Sequence, residues 1–269
     1  MTKTLTIEYT PHEKQAIFHR SDKRNRAFVG GIGSGKTMAG CWESIWFGLK
    51  NPGALIMVLA PTYTMLRDST MRTFFELLPE EYISVFNKTK NELILRNGTE
   101  YLFRSADDPD RLRGPNLAFI FMDEAAMMGK HTYHILMGRL RQKKFDQRLV
   151  VATTPRGFNW LYDVFVKNAT EDYAVIYSST AQNVLNLPPK FVEMLEAQYG
   201  GTFYRQEVLG EFVGFEGLVY PDFSLERNVR LTIDQKFDRI IAGVDFGVYD
   251  PSVILVIGLD YDHRAYLID

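Results

Sequence analysis

From Arg26 to about Tyr177, short unbroken apolar runs alternate with longer helix-like stretches. Unbroken runs fit strands buried on both faces, and the longer stretches fit helices that pack one side against a sheet. The pattern predicts strands at Ala27–Val29, Leu55–Ala60, Leu117–Met122, Leu149–Ala152 and Ala174–Tyr177. It predicts helices over Lys36–Leu49, Tyr63–Leu78, His131–Leu140 and Phe158–Val166. Such alternation implies an α/β domain with a largely parallel sheet flanked by helices. One insertion breaks the rhythm. Glu92–Leu95 and Thr99–Phe103 flank Asn97-Gly98, a two-residue turn signal in which both positions tolerate positive φ, so an antiparallel hairpin is expected at an edge.

After Ser178 the pattern changes. Pro188-Pro189 should start a helix running through Tyr199, Gly200-Gly201 should stop it, and a second short helix should reach Leu209. The expected organisation is a core over residues 1–178, a small helical lid over 179–213 and a linker over 214–237. Three apolar runs follow, Ile240–Val244, Val253–Leu259 and Ala265–Ile268, the beginning of a second sheet over 238–269. A chain ending inside a predicted sheet leaves an unpaired edge, so a sequence continuing past Asp269 is expected.

Composition narrows the partners. The formal net charge of −2 excludes a basic field over the whole surface, so any nucleic-acid contact must be local. A lone cysteine, Cys41, permits neither an internal disulfide nor a cysteine-rich zinc site and fits a reducing compartment. There is no apolar run long enough to span a bilayer and no signal-peptide core, so a soluble protein with no membrane role is expected.

Gly30-Gly31-Ile32-Gly33-Ser34-Gly35-Lys36-Thr37 fits G-x-x-x-x-G-K-[ST] and lies between a predicted strand and a predicted helix, the setting that pattern requires. Its glycines let backbone N–H groups turn toward phosphate oxygens at the positive end of the helix. Lys36 should reach the β- and γ-phosphates of ATP, and the Thr37 hydroxyl should ligate Mg²⁺. The apolar run Leu117–Met122 ends in Asp123-Glu124. Ligands of open α/β sheets sit beyond the carboxyl ends of strands, so Asp123 should hold Mg²⁺ and Glu124 should orient or deprotonate the attacking water. Upstream, Gln15 could pair its amide with adenine. Downstream, Thr153 and Thr154 end the next strand with hydroxyls able to sense the γ-phosphate.

The order Gln15, phosphate loop, Leu112-Arg113-Gly114, strand with Asp123-Glu124, and Ala152-Thr153-Thr154-Pro155 resembles the large subunit of tailed-phage terminases, the viral DNA-packaging motor. Past the linker, Ala242-Gly243-Val244-Asp245-Phe246-Gly247 resembles the first strand of the RNase H-like nuclease domain that follows the motor in that family. The resemblance implies a P-loop ATPase that translocates double-stranded DNA into a procapsid. Its partners would be a portal protein, a terminase small subunit and further copies of itself in a ring, with a monomer in solution as the alternative state, in the host cytoplasm. It also implies that Thr153-Thr154 couple hydrolysis to movement and that Arg113 is offered in trans to a neighbour's ATP. Asp245 matches the first acid of a nuclease site that takes Mg²⁺ or Mn²⁺. The later acids of that site would lie beyond Asp269, so this chain is not expected to cut DNA alone.

Two other readings share these motifs, a helicase-like DNA translocase and a non-catalytic nucleotide-binding assembly subunit. The densest basic stretch, Arg139 to Lys144 with Arg148 beyond, reads as a solvated helix end; turned toward DNA it would grip phosphates without reading bases. His131 and His134 share a predicted helix with no third ligand near them, so no zinc is assigned.

Overall fold

The structure, a computed structural model, describes residues 7–214, 229, 236–247, 252–262 and 264–268. The chain divides into two units, Met1–Glu216 and Gly217–Asp269. The first is built on an eight-stranded sheet of β1 (Asn25–Gly30), β2 (Leu55–Ala60), β3 (Ile83–Asn87), β4 (Glu92–Leu95), β5 (Glu100–Ser105), β6 (Phe119–Asp123), β7 (Arg148–Thr153) and β8 (Tyr173–Ser178). The order is β3-β4-β5-β2-β6-β7-β1-β8. Strands β5 through β8 of that order pair in parallel, while β3, β4 and β5 pair antiparallel at one edge.

Alternate strand residues feed two cores, as the two-residue strand period demands. On one face Phe28, Ile56, Val58, Phe121 and Val150 pack against α1 (Glu13–Arg20), α2 (Lys36–Lys50), α3 (Tyr63–Met65) with its continuation, and α4 (Arg72–Leu77). On the other, Val29, Met57, Leu59, Ile120 and Val151 pack against α5 (Lys130–Met137) and α6 (Trp160–Tyr162). Helix α1 is fastened to α2 by a buried ionic group: the Glu43 carboxylate accepts from His19 Nδ1 at 2.6 Å and from the Arg26 guanidinium.

Three details depart from the sequence pattern. The hairpin between β4 and β5 turns through three residues, because Leu95 N–H bonds to the Thr99 carbonyl and only Gly98 takes positive φ, at 84°. Asn97 instead donates its side-chain amide to the Gly48 carbonyl at 2.9 Å, holding the hairpin to the end of α2. The Tyr63–Leu78 helix runs to Leu77, but between α3 and α4 it passes through a π-helical stretch, Leu66–Met71. The Phe158–Val166 helix likewise becomes α6 followed by a π-helical stretch, Asp163–Lys167. Beyond β8 come a 3₁₀ stretch, Thr180–Asn186, then α7 (Phe191–Gln198) and α8 (Gly201–Glu207).

In the second unit β9 (Arg239–Asp245), β10 (Val253–Leu259) and β11 (Ala265–Leu267) form an antiparallel meander in the order β11-β10-β9. The linker expected over 214–237 lies almost wholly outside the described residues.

Candidate functional site

Strand β1 delivers the chain into the loop Gly30–Thr37, and α2 begins at Lys36. Four successive carbonyls of this loop are each held from outside. Thr180 Oγ1 donates to Ile32 O and Asn183 Nδ2 to Gly33 O, both at 2.7 Å; His12 Nε2 meets Ser34 O at 3.0 Å, and Gln15 Nε2 donates to Gly35 O at 2.8 Å. His12 Nδ1 accepts from Lys14 N–H, which leaves the ring proton on Nε2. Carbonyl and N–H of one peptide plane point opposite ways, so pinning these carbonyls outward turns the N–H groups of residues such as Gly35 and Lys36 the other way. That is the electrostatics of an anion cradle.

Two glycines are dictated by this geometry. Gly35 sits at φ 78°, with the Gln15 amide where a Cβ would stand. At Gly31 a Cβ would strike the backbone carbonyls of Glu207 and Val208, because the helical segment docks directly on the loop: Ile32 N–H donates to Glu207 O at 2.7 Å. Gln15 was expected to face adenine. Its amide is engaged at both ends by backbone, Oε1 accepting from His12 N–H at 3.0 Å, so here it caps α1 and braces the loop.

At the same end of the sheet β6 presents the acidic pair. Asp123 is 2% exposed, with one carboxylate oxygen accepting from Thr37 Oγ1 at 3.0 Å and the other from Thr70 Oγ1 at 2.8 Å. Burial, and after it the Glu124 charge, pushes its pKa above the ordinary carboxylate range to about 6. Glu124 takes a left-handed conformation, φ 49° and ψ 44°, unusual for a residue with a side chain. The bend turns its carboxylate back over the loop: Oε1 lies 3.2 Å from Lys36 Nζ, and Oε2 accepts from Thr154 N–H at 3.3 Å.

Strand β7 lies between β6 and β1, which is why its end reaches this pair. Thr154 touches Glu124 through its backbone. The Thr153 hydroxyl accepts from Ala126 N–H at 3.0 Å and donates to Thr154 O at 2.9 Å, fastening the turn after Glu124. Among the described hydrogen bonds neither threonine hydroxyl meets the phosphate loop.

The donor set fits magnesium. That ion takes one or two carboxylates and completes its shell with phosphate and water oxygens. Asp123 and Thr37 offer adjacent oxygens beside the loop, and no group of three or more His, Cys, Asp or Glu side chains forms a protein-only cage among the described residues. Thr70, His12, Thr180 and Asn183 had no signal in the sequence, because none belongs to a spaced motif and three of them act on backbone carbonyls.

Other candidates lie apart. Arg113 follows a 3₁₀ turn, Pro109–Leu112, is about half exposed and pairs with Asp110 at 2.7 Å, holding that carboxyl below its ordinary range. No hydrogen bond or ion pair of the described residues joins it to the loop of its own chain. Asp245 ends β9 in the second unit, opposite Val253. Arg141, Lys143 and Lys144 line a concavity of about 710 Å³ at the amino-terminal ends of β2 and β7, backed by Gln142, whose Oε1 accepts from Leu55 N–H at 2.7 Å.

Comparison with known proteins agrees with this geometry. The terminase large subunits of Thermus virus P23-45 and Escherichia phage T5 are 26% and 25% identical over 300 and 242 aligned residues, covering 94% and 82% of this chain. The chain spans 61% of the Thermus protein's length and 53% of the T5 protein's. Among solved structures, the large terminase from a thermophilic bacteriophage superposes with a TM-score of 0.69 at 20% identity, over 97% of this chain and 69% of that one. The ATPase domain of the Thermus phage P74-26 large terminase gives 0.63 at 24% identity, over 76% of this chain and 95% of that one, so both share the fold. Residues 27–227 match the family described as terminase large subunit, T4likevirus-type, N-terminal. With more than half of its length inside that match, and the phosphate loop and acidic pair at one end of the sheet, the chain belongs to this terminase large-subunit family.

Proposed function

We propose that this chain binds ATP with magnesium at Gly30–Thr37 and hydrolyses it to drive double-stranded DNA into a procapsid. The observation that carries this reading is the 3.2 Å contact between Lys36 Nζ and Glu124 Oε1. It supports placing the phosphate-binding cation and the water-orienting carboxylate at one point. Magnesium, held by Asp123 and Thr37, would neutralise charge growing on the phosphate oxygens. A γ-phosphate would draw Lys36 off Glu124, and the freed carboxylate would orient the attacking water while Thr154 N–H keeps it aimed. Two solved complexes support the nucleotide: the large terminase from the thermophilic bacteriophage is known with ADP and with ATP-γ-S.

The family also supports, as proposals for this chain, a ring in which Arg113 reaches a neighbour's ATP, contacts with portal protein and small subunit, work in the host cytoplasm, and a nuclease centre that uses Asp245. Swinging outward would require Arg113 to leave Asp110, a solvent-screened pair worth little. The basic concavity supports a grip on DNA phosphates that ignores sequence.

The test is steady-state ATP hydrolysis with and without linear double-stranded DNA. Glu124→Gln is expected to cut turnover by at least about a hundredfold while still binding ATP. Arg113→Ala is expected to lower turnover and to recover part of it when mixed with Glu124→Gln subunits. Unchanged turnover in Glu124→Gln would remove Glu124 from the catalytic role, whereas no turnover in wild type under either condition would leave the non-catalytic nucleotide-binding reading standing.

A further inference from the structure

The π-helical stretch Leu66–Met71 has a consequence at the acidic pair. A π turn adds one residue to the helical repeat and rotates the following side chains about the axis, and such turns concentrate at functional sites. Here the rotation brings Thr70 inward to 1% exposure, and its Oγ1 donates to Asp123 Oδ2 at 2.8 Å. The carbonyl of the same residue receives the buried Cys41 thiol at 3.5 Å, a contact from α2, the helix that carries Lys36 and Thr37. Neighbouring Arg67, Asp68 and Ser69 stay exposed. One residue of the stretch therefore ties the helix after β2 both to the acidic pair and to the helix after the phosphate loop.

The two hydroxyls on Asp123 are not equivalent. Thr37 holds Oδ1 and belongs to the loop that would surrender its hydroxyl oxygen to the metal; Thr70 holds Oδ2 from a different element. We propose that Thr70 is a positioning residue for magnesium: its hydroxyl fixes the rotamer of Asp123 so that Oδ1 stays aimed at the cation when Thr37 turns to ligate it. This rests on the reading that Asp123 and Thr37 take the metal. Partners that orient metal-holding carboxylates contribute strongly to affinity, and their loss costs about 10- to 100-fold.

The experiment is binding of Mn²⁺, as a paramagnetic stand-in for Mg²⁺, to the purified chain with ADP, read by the loss of the free-ion electron paramagnetic resonance signal. ADP affinity in EDTA and the melting temperature are measured alongside. Thr70→Val, which keeps the shape and removes the donor, is expected to raise the Mn²⁺ concentration for half-saturation by about tenfold or more, with metal-free ADP affinity within about twofold of wild type. Thr70→Ser, which keeps the donor, is expected to bind Mn²⁺ nearly as wild type does. Should the valine variant not fold, Thr70→Ala carries the same expectation.

Wild-type Mn²⁺ binding by the donor-less variant would overturn the proposal, as would equal losses in the serine and valine variants, since packing would then explain both. Asp123→Asn separates the two readings. If it too leaves Mn²⁺ binding unchanged, the assignment of the metal to Asp123 falls, and the role of Thr70 with it; if it weakens binding while Thr70→Val does not, only the role of Thr70 falls.

Discussion

At the scale of single residues, the site holds a charge where a fold would ordinarily avoid one. Asp123 keeps its proton in the fold to about pH 6, against 3.8 for the free side chain. A raised carboxyl favours the folded state only while protonated. Below about pH 4 it costs nothing; between about 4 and 6 stability falls as the unfolded chain ionises first; above 6 the full penalty stands. Asp123→Asn removes that penalty, so without nucleotide it should melt a few degrees above wild type at pH 8 and no higher near pH 4. Equal melting at pH 8 would mean that the two threonine donors already offset the burial. The residues named by the sequence motif were legible because their chemistry requires fixed spacing, from Gly30 to Thr37 and across Asp123-Glu124. His12, Thr180 and Asn183 were not, because a side chain that holds a backbone carbonyl can come from anywhere in the chain. Gln15 was singled out for adenine, and the structure adds a role that its pattern did not signal: an amide that suits adenine suits two backbone groups equally well.

Among elements, the central strands were readable because burial on both faces makes them unbroken apolar runs, whereas β3 and α1 were not. Strand β3, Ile83-Ser84-Val85-Phe86-Asn87, is an outer strand with no fully buried position, so its pattern carries little signal. Helix α1 buries only Gln15 and Phe18 and is capped by a histidine, outside the usual capping set. The π turns have no sequence rule at all, and the one over Leu66–Met71 carries the Thr70 that bonds Asp123. The docking of the helical segment on the loop makes a sharper prediction. Gly31→Ala places a methyl against two backbone carbonyls that cannot rotate away, so the segment must lift. Limited proteolysis should then cut within residues 180–208 faster than in wild type, and ADP should bind about tenfold more weakly. Digestion at the wild-type rate would show that the loop accommodates the methyl by itself.

For the molecule as a whole, every residue of the nucleotide site belongs to the unit Met1–Glu216, while Asp245 belongs to Gly217–Asp269. Two-metal phosphodiester cleavage needs several carboxylates around paired ions, and the described residues of the second unit bring no such group together. On the proposal that Asp245 belongs to a nuclease centre, any nicking of supercoiled plasmid with Mn²⁺ is expected to be lost in Asp245→Ala; nicking that survives the change would take Asp245 out of that centre. The clasp on the phosphate loop bears on how the protein is made. Thr180 and Asn183 lie 148 and 150 positions after the carbonyls they hold, and Glu207 comes later still. During synthesis the sheet strands β1 and β2 are complete long before these residues leave the ribosome, and chains acquire order as their contacts become available. The nascent protein must therefore pass through a long interval in which its loop exists without its clasp, and a nucleotide that requires the clasped loop would act as a folding ligand only once nearly all of the first unit had emerged.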